Sequence, residues 1–134
     1  MSTDSAHQTH GEVTHAFIYD RHATLNTVAL DDRLKRCREY AQEHGYRVAG
    51  MWLDLGDHAL GHHRPEFQNL CRAMAGTSGR VICLVHDWDR LSRDASQSAV
   101  MRRCIEHAGG YSETADGETD EPLERLRGLL TTPD

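Results

Sequence analysis

The sequence has no apolar run approaching the roughly 20 residues of a membrane-spanning helix. Its first 15 residues lack both the basic start and the apolar stretch of a secretory signal, so a cytoplasmic location with no membrane partner is the expectation. It also lacks any Cys-x-x-Cys pair: Cys37, Cys71, Cys83 and Cys104 stand far apart. Three of them fall on apolar positions of helical patterns and Cys83 inside an apolar run. All four are therefore expected as buried structural thiols, packing as small hydrophobes. Histidine is plentiful, with ten copies, but zinc spacing is missing from both His7, His10, His15 and His58, His62, His63. No metal and no cofactor is expected. There is no internal repeat.

A clear basic excess is missing too. The chain carries a formal charge of −6, unevenly spread. Residues 112–134 hold seven acids against two arginines, and residues 1–15 hold two acids and no Lys or Arg. The middle, 16–111, has 13 basic and 12 acidic side chains. Such a balance argues against strong autonomous nucleic-acid binding, but a local arginine cluster can still grip a phosphate.

What is present fits one domain, since 134 residues can bury a single sizeable core. Ala16-Phe17-Ile18-Tyr19 reads as a short buried strand. Leu30, Leu34, Cys37 and Tyr40/Ala41 recur at helical steps, with Gly45 as a stop. Tyr46 to Asp54 reads as a second strand, followed by a polar loop from Leu55 to His63. Pro65 opens a second helix with Phe67, Leu70, Cys71 and Met74 on its apolar side. Val81 to Val85 is an unbroken apolar run, the mark of a central strand covered on both faces. A third helix is expected from about Ala95 to His107, with Val100, Cys104, Ile105 and Ala108 inward.

Strand and helix thus alternate. The expectation is an α/β domain with a mainly parallel sheet of four to five strands and helices on both faces. Sites in such sheets form where loops leave the carboxyl ends of strands. Three regions are expected: a disordered tail (1–15), the folded domain (16–111), and an acidic linker ending in a short helix through Leu123, Leu126, Leu129 and Leu130 (112–134).

Two short stretches carry chemistry: Tyr19-Asp20-Arg21-His22-Ala23 and Asp89-Arg90-Leu91-Ser92-Arg93. They resemble the Tyr-x-Arg-x-Ser and Asp-Arg-Leu-x-Arg signatures of serine recombinases of the resolvase/invertase family. His63-Arg64-Pro65 resembles the setting of that family's third conserved arginine. Leu34 to Gly45 resembles its first helix and Trp52 to Gly56 its second strand. The resemblance spans roughly 16–111 and implies a resolvase-like fold. It also implies phosphate-binding roles for Arg21, Arg64, Arg90 and Arg93 and an active-site role for Asp89. Arginine suits that task because its guanidinium stays charged and donates paired hydrogen bonds to phosphate.

The chain departs from the pattern at Ala23, which stands where the family has its nucleophilic serine. A methyl group cannot replace an activated oxygen. The resemblance also implies a long helix and a DNA-reading domain after the fourth strand, and neither is legible after Gly110-Tyr111. The reading is a recombinase catalytic domain, leaning to inactive, that meets DNA weakly or through a partner. Homo- or hetero-oligomers with recombinase subunits are implied. A regulatory or phosphate-gripping partner of an active recombinase is one alternative. A phosphodiester enzyme using Thr24 or Ser92 is the other. Taken without the resemblance, the same arginines beside Asp20, Asp89 and Asp94 read as rim ion pairs. His22, between Arg21 and Ala23, reads as a surface residue rather than a catalytic base.

Overall fold

The computed structural model describes residues 13–123. Four strands, β1 (Thr14–His22), β2 (Arg47–Leu55), β3 (Arg80–Val85) and β4 (Tyr111–Thr114), form one sheet in the order β2-β1-β3-β4. Every adjacent pair is parallel. Three α-helices connect them: α1 (Val28–Glu43), α2 (Pro65–Ala75) and α3 (Ala95–His107). The alternation expected from the sequence is the fold observed. Among the described residues, no helix is long and apolar enough to cross a membrane.

The alternating side chains of β1 and β3 divide the core in two. Ala16, Ile18, Ile82 and Leu84 face α1, which presents Leu30, Leu34, Cys37, Tyr40 and Ala41. Phe17, Tyr19, Val81, Cys83 and Val85 face the other way, onto Phe67, Leu70 and Met74 of α2 and Met101 and Ile105 of α3. The sheet is therefore covered on both faces.

Four expectations need correction. The tail was drawn to residue 15, but β1 already begins at Thr14, with Thr14 and His15 paired to Arg80 and Val81. The segment 112–121, read as a loose linker, instead supplies β4 and a turn that folds back on it, with Glu113 bridging to Thr119. Partners meet the buried Glu113 and Thr114 there: Glu113 accepts from Tyr40 Oη at 2.5 Å and from Tyr46 Oη at 2.9 Å, and Thr114 Oγ1 accepts from the N–H of Glu118 at 3.2 Å. Burial chiefly, with the neighbouring Glu113, pushes Tyr46 up to about 12. In α3, Val100 and Cys104 face outward while Ser98, Met101 and Ile105 are buried. Cys37 and Cys83 are buried as expected, whereas Cys71 is half-buried and Cys104 exposed. The expected Leu126, Leu129 and Leu130 helix and His7 and His10 lie outside the described residues.

Gly110 explains how β4 enters the sheet so closely. A Cβ there would overlap the Val81 carbonyl oxygen and stand 2.7 Å from Met74 Cε. Only glycine fits.

Candidate anion-binding site

After β1 the chain goes out through α1 to β2 on one side, then returns across to β3 on the other. The carboxyl ends of β1 and β3 therefore flank a point where the strand order reverses, the usual place for a crevice in such sheets. The end of β1 brings Arg21 there, and the turn after β3 (Trp88–Arg90) brings the second arginine-rich stretch.

Beneath the crevice lies a buried polar frame. Asp54, at the end of β2 and 1 % exposed, accepts from Tyr19 Oη at 2.8 Å. It also accepts from the backbone N–H groups of Glu66 (2.9 Å) and Phe67 (3.1 Å), so it caps α2 from outside the helix. Pro65 opens that helix, where its lack of an N–H costs nothing. Arg64, directly before it and 3 % exposed, donates to Tyr19 Oη at 3.2 Å, Leu91 O at 2.7 Å and Gly61 O at 2.9 Å. Burial raises the Tyr19 phenol well above its ordinary range, with Asp54 adding to the rise and Arg64 opposing it. The frame thus fixes Arg64 without giving it a carboxylate.

Arg21 is held the same way. Its Nε donates to Asp89 O at 2.8 Å and its Nη1 to Ala59 O at 3.3 Å. Both acceptors are backbone carbonyls. Burial, then the nearby guanidinium groups of Arg64, Arg90 and Arg93, lowers the Arg21 pKa from its ordinary value. The causes identify a concentrated positive field. Arg93 is more open, 79 % exposed at the side chain, with Nε 3.7 Å from an Asp89 carboxylate oxygen. Arg21, Arg64 and Arg93, with one acid, Asp94, and with His62, Ser92 and Gln97, line a cleft of about 360 Å³.

Three of the expected site residues, Ala23, Asp89 and Arg90, do not line this cleft. Ala23 lies in the exposed coil after β1. Arg90 turns aside: its Nη1 donates to Arg21 O at 3.0 Å and stands 3.5 Å from Asp20 Oδ1, and its Nε is 3.5 Å from Asp87 Oδ1. Asp89 contributes its backbone carbonyl to Arg21, while its carboxylate is solvent-exposed beside Arg93.

The candidate hydroxyls are also placed. Ser92 lines the cleft, but its Oγ donates to Gln97 Oε1 at 2.8 Å and accepts from the Asp94 N–H at 3.0 Å. Thr24 lies 3.0 Å from His22 Nε2. His22 is fixed on both sides: Arg33 Nη2 approaches Nδ1 at 3.3 Å, and Asn26 O approaches Nε2 at 2.5 Å. Because Arg33 can only donate and a carbonyl can only accept, the proton belongs on Nε2. His22 Nε2 is then a donor and cannot take a proton from Thr24.

A wider groove of about 500 Å³ runs beside the cleft between α2 and α3, walled by Phe67, Cys71, Val100, Met101 and Cys104. Arg64, Arg72 and His62 also line it, but most of its lining is apolar, whereas the smaller cleft brings three arginines together. Among the described residues, no cluster of three or more His, Cys, Asp or Glu side chains is arranged to hold a metal.

The sequence pointed to Arg21, Arg64 and Arg93, and to Asp20 only as a rim ion-pair partner, but not to Asp54, Asp87 or Arg33. The available signal was a single acid at the end of each apolar strand, as in Tyr19-Asp20 and Leu53-Asp54. Burying a carboxylate there requires dedicated partners.

Comparison with known proteins agrees with this fold. No protein of curated function matches the sequence. Three solved structures share the fold. The N-terminal catalytic domain of TP901-1 integrase matches at 20 % identity over 87 % of this chain and 88 % of that one, TM-score 0.68. A resolvase-family site-specific recombinase from Streptococcus pneumoniae matches at 19 % over 87 % and 83 %, TM-score 0.67. The C-terminal catalytic domain of ISC1926 TnpA, an IS607-like serine recombinase, matches at 21 % over 87 % and 77 %, TM-score 0.64. The profile of the resolvase N-terminal domain matches residues 16–128, most of the chain and past the expected boundary at 111. The four-stranded parallel sheet, its helices and this match together show that the chain belongs to the resolvase N-terminal domain family, the catalytic domain of serine recombinases.

Proposed function

We propose that this domain grips DNA phosphate in the Arg21–Arg64–Arg93 cleft and takes part in recombination without cutting DNA itself. One observation carries the reading: Arg21 and Arg64 are fixed by carbonyl and phenol oxygens alone, so their charge is oriented but not neutralised. Guanidinium groups preset in this way stabilise an incoming phosphate with little reorganisation. The lack of cutting rests on Ala23, which occupies the position matched to the family's attacking serine and has no nucleophilic oxygen.

A domain of this kind acts on DNA beside a competent recombinase subunit, supplying fold and charge rather than chemistry. The test is restoration. Native protein and Ala23→Ser are incubated with supercoiled DNA carrying candidate sites, alone and with an active recombinase, and covalent protein–DNA adducts are resolved by denaturing electrophoresis. The native chain should give none. An adduct from the restored variant alone would identify Ala23 as the lesion.

A second reading, cleavage by Ser92, is favoured by the placement of that hydroxyl inside the charged cleft. Its Oγ is engaged with Gln97 and Asp94, however, and would have to leave both. An adduct from the native chain that disappears in Ser92→Ala would establish it.

A further inference from the structure

Arg90 belongs to the same arginine-rich stretch as Arg93, yet it serves the opposite side of β1. Ile18 and Ala16 face α1, and Asp20 continues that alternation. Asp20 is 1 % exposed, and Arg33 of α1 grips it with two bonds of 2.8 Å each. Arg90 joins the same carboxylate from the turn after β3, at 3.5 Å, and reaches Asp87 of that turn at 3.5 Å.

The two grips differ in quality. Arg33 saturates Asp20 with short, paired hydrogen bonds. Arg90 is held only by longer charge contacts and one bond to the Arg21 carbonyl, and its buried Nε has no hydrogen-bond partner. A buried donor left unmatched is costly, so this side chain gains from any acceptor that meets it. Its attachment to the Arg21 carbonyl keeps it one residue away from the cleft that Arg21 lines.

We propose that Asp20 and Asp87 are positioning residues that draw Arg90 to the α1 side and so set how many guanidinium groups the anion cleft presents. Three arginines line the cleft with the acids in place. Relaxing the acids allows a fourth. The inference rests on the cleft being a phosphate site, and it adds a built-in limit on that site's strength. Its charged surroundings are Asp20 and Arg21 on β1, Arg33 on α1, and His86, Asp87 and Asp89 after β3.

The experiment measures binding of a fluorescein-labelled DNA duplex across a salt series for native protein, Asp87→Asn, Asp20→Asn, Arg90→Gln and the two double variants with Arg90→Gln. Asp87 is 41 % exposed at its side chain, so Asp87→Asn leaves the fold intact even where Asp20→Asn unfolds it. Freeing Arg90 should tighten binding about tenfold, the worth of one charged hydrogen bond. It should also steepen the dependence of log K on log salt by about 0.9, one further phosphate contact. Both gains should vanish when Arg90→Gln is added, while Arg90→Gln alone should change little. A gain that survives without Arg90 would be a general charge effect and would overturn the inference, as would no gain from Asp87→Asn. Native binding that is unaffected by Arg21→Gln would instead overturn the phosphate reading of the cleft, and this inference with it.

Discussion

The arginines of this domain fall into two groups, and the contrast between them says more than their number. Arg33, Arg80 and Arg102 each end on a carboxylate: Asp20 at 2.8 Å, Glu121 at 2.5 Å and Asp120 at 2.5 Å. Arg102 also lies over the Trp88 ring, 3.9 Å from its centre. These side chains fasten helix to strand and the segment after β4 to the body of the domain. Arg21 and Arg64 end on neutral oxygens. They are just as constrained, but their charge stays available. A net-negative composition therefore coexists with a local cluster of positive charge, because charges cancel in pairs and not as a sum over the chain.

Substitutions should separate the two groups, and the largest effect should come from the frame beneath the cleft. Asp54→Ala removes the acceptor for Tyr19 and for two amides of α2, and should cost about 3 kcal/mol in urea unfolding. A loss below about 1 kcal/mol would mean that water replaces the frame. Gly110→Ala forces a methyl against the Val81 carbonyl and Met74, and should cost about 2–3 kcal/mol with a matching fall in Tm.

Arg102→Ala should cost about 1–2 kcal/mol, since the lost pair is bidentate and stacked on an aromatic ring. Arg21→Gln marks the other end of the contrast. It relieves repulsion from Arg64, Arg90 and Arg93, so stability should shift by no more than about 0.5 kcal/mol. Salt-sensitive DNA binding should nevertheless fall severalfold. A large loss of stability instead would place Arg21 among the fastening arginines.

The smallest effect concerns thiols. Alkylation at pH 8 should mark the exposed Cys104 at once and leave Cys71 slow, because burial pushes the Cys71 thiol up to about 11. The Cys71 rate should rise about tenfold per pH unit as its thiolate fraction grows towards that value.

Much of this fold was legible because its core follows simple periods. Leu30, Leu34, Cys37, Tyr40 and Ala41 form the buried stripe of α1, and Val81 to Val85 form a strand buried on both sides. What escaped were places where polarity and burial coincide. Strand β4 holds Ser112, Glu113 and Thr114 inside the protein, where Tyr40 of α1 and Tyr46, just before β2, meet Glu113, and the backbone of the following turn meets Thr114. In α3 two apolar stripes compete, and the groove beside α2 leaves Val100 and Cys104 outward. The motifs located the cleft through Arg21, Arg64 and Arg93. They could not tell that Arg90, one residue after Asp89, turns the other way, to Asp20 at the end of β1 and Asp87 of its own turn.

The position of β1 at the middle of the sheet has a consequence for how the protein is made. As the chain leaves the ribosome, β1 and β2 can pair early, but the neighbour on the other side of β1 begins only at Arg80. Long-range parallel pairing of this kind is slow, and the exposed strand edge waits for it. Arg21 also waits, since its Asp89 carbonyl arrives after β3, and Arg64 waits for Leu91. A nascent chain up to the end of α2 has two of the cleft's arginines but neither of those late acceptors. Both guanidinium groups are thus fixed in one late step, when the third strand docks and brings these carbonyls with the turn that follows it.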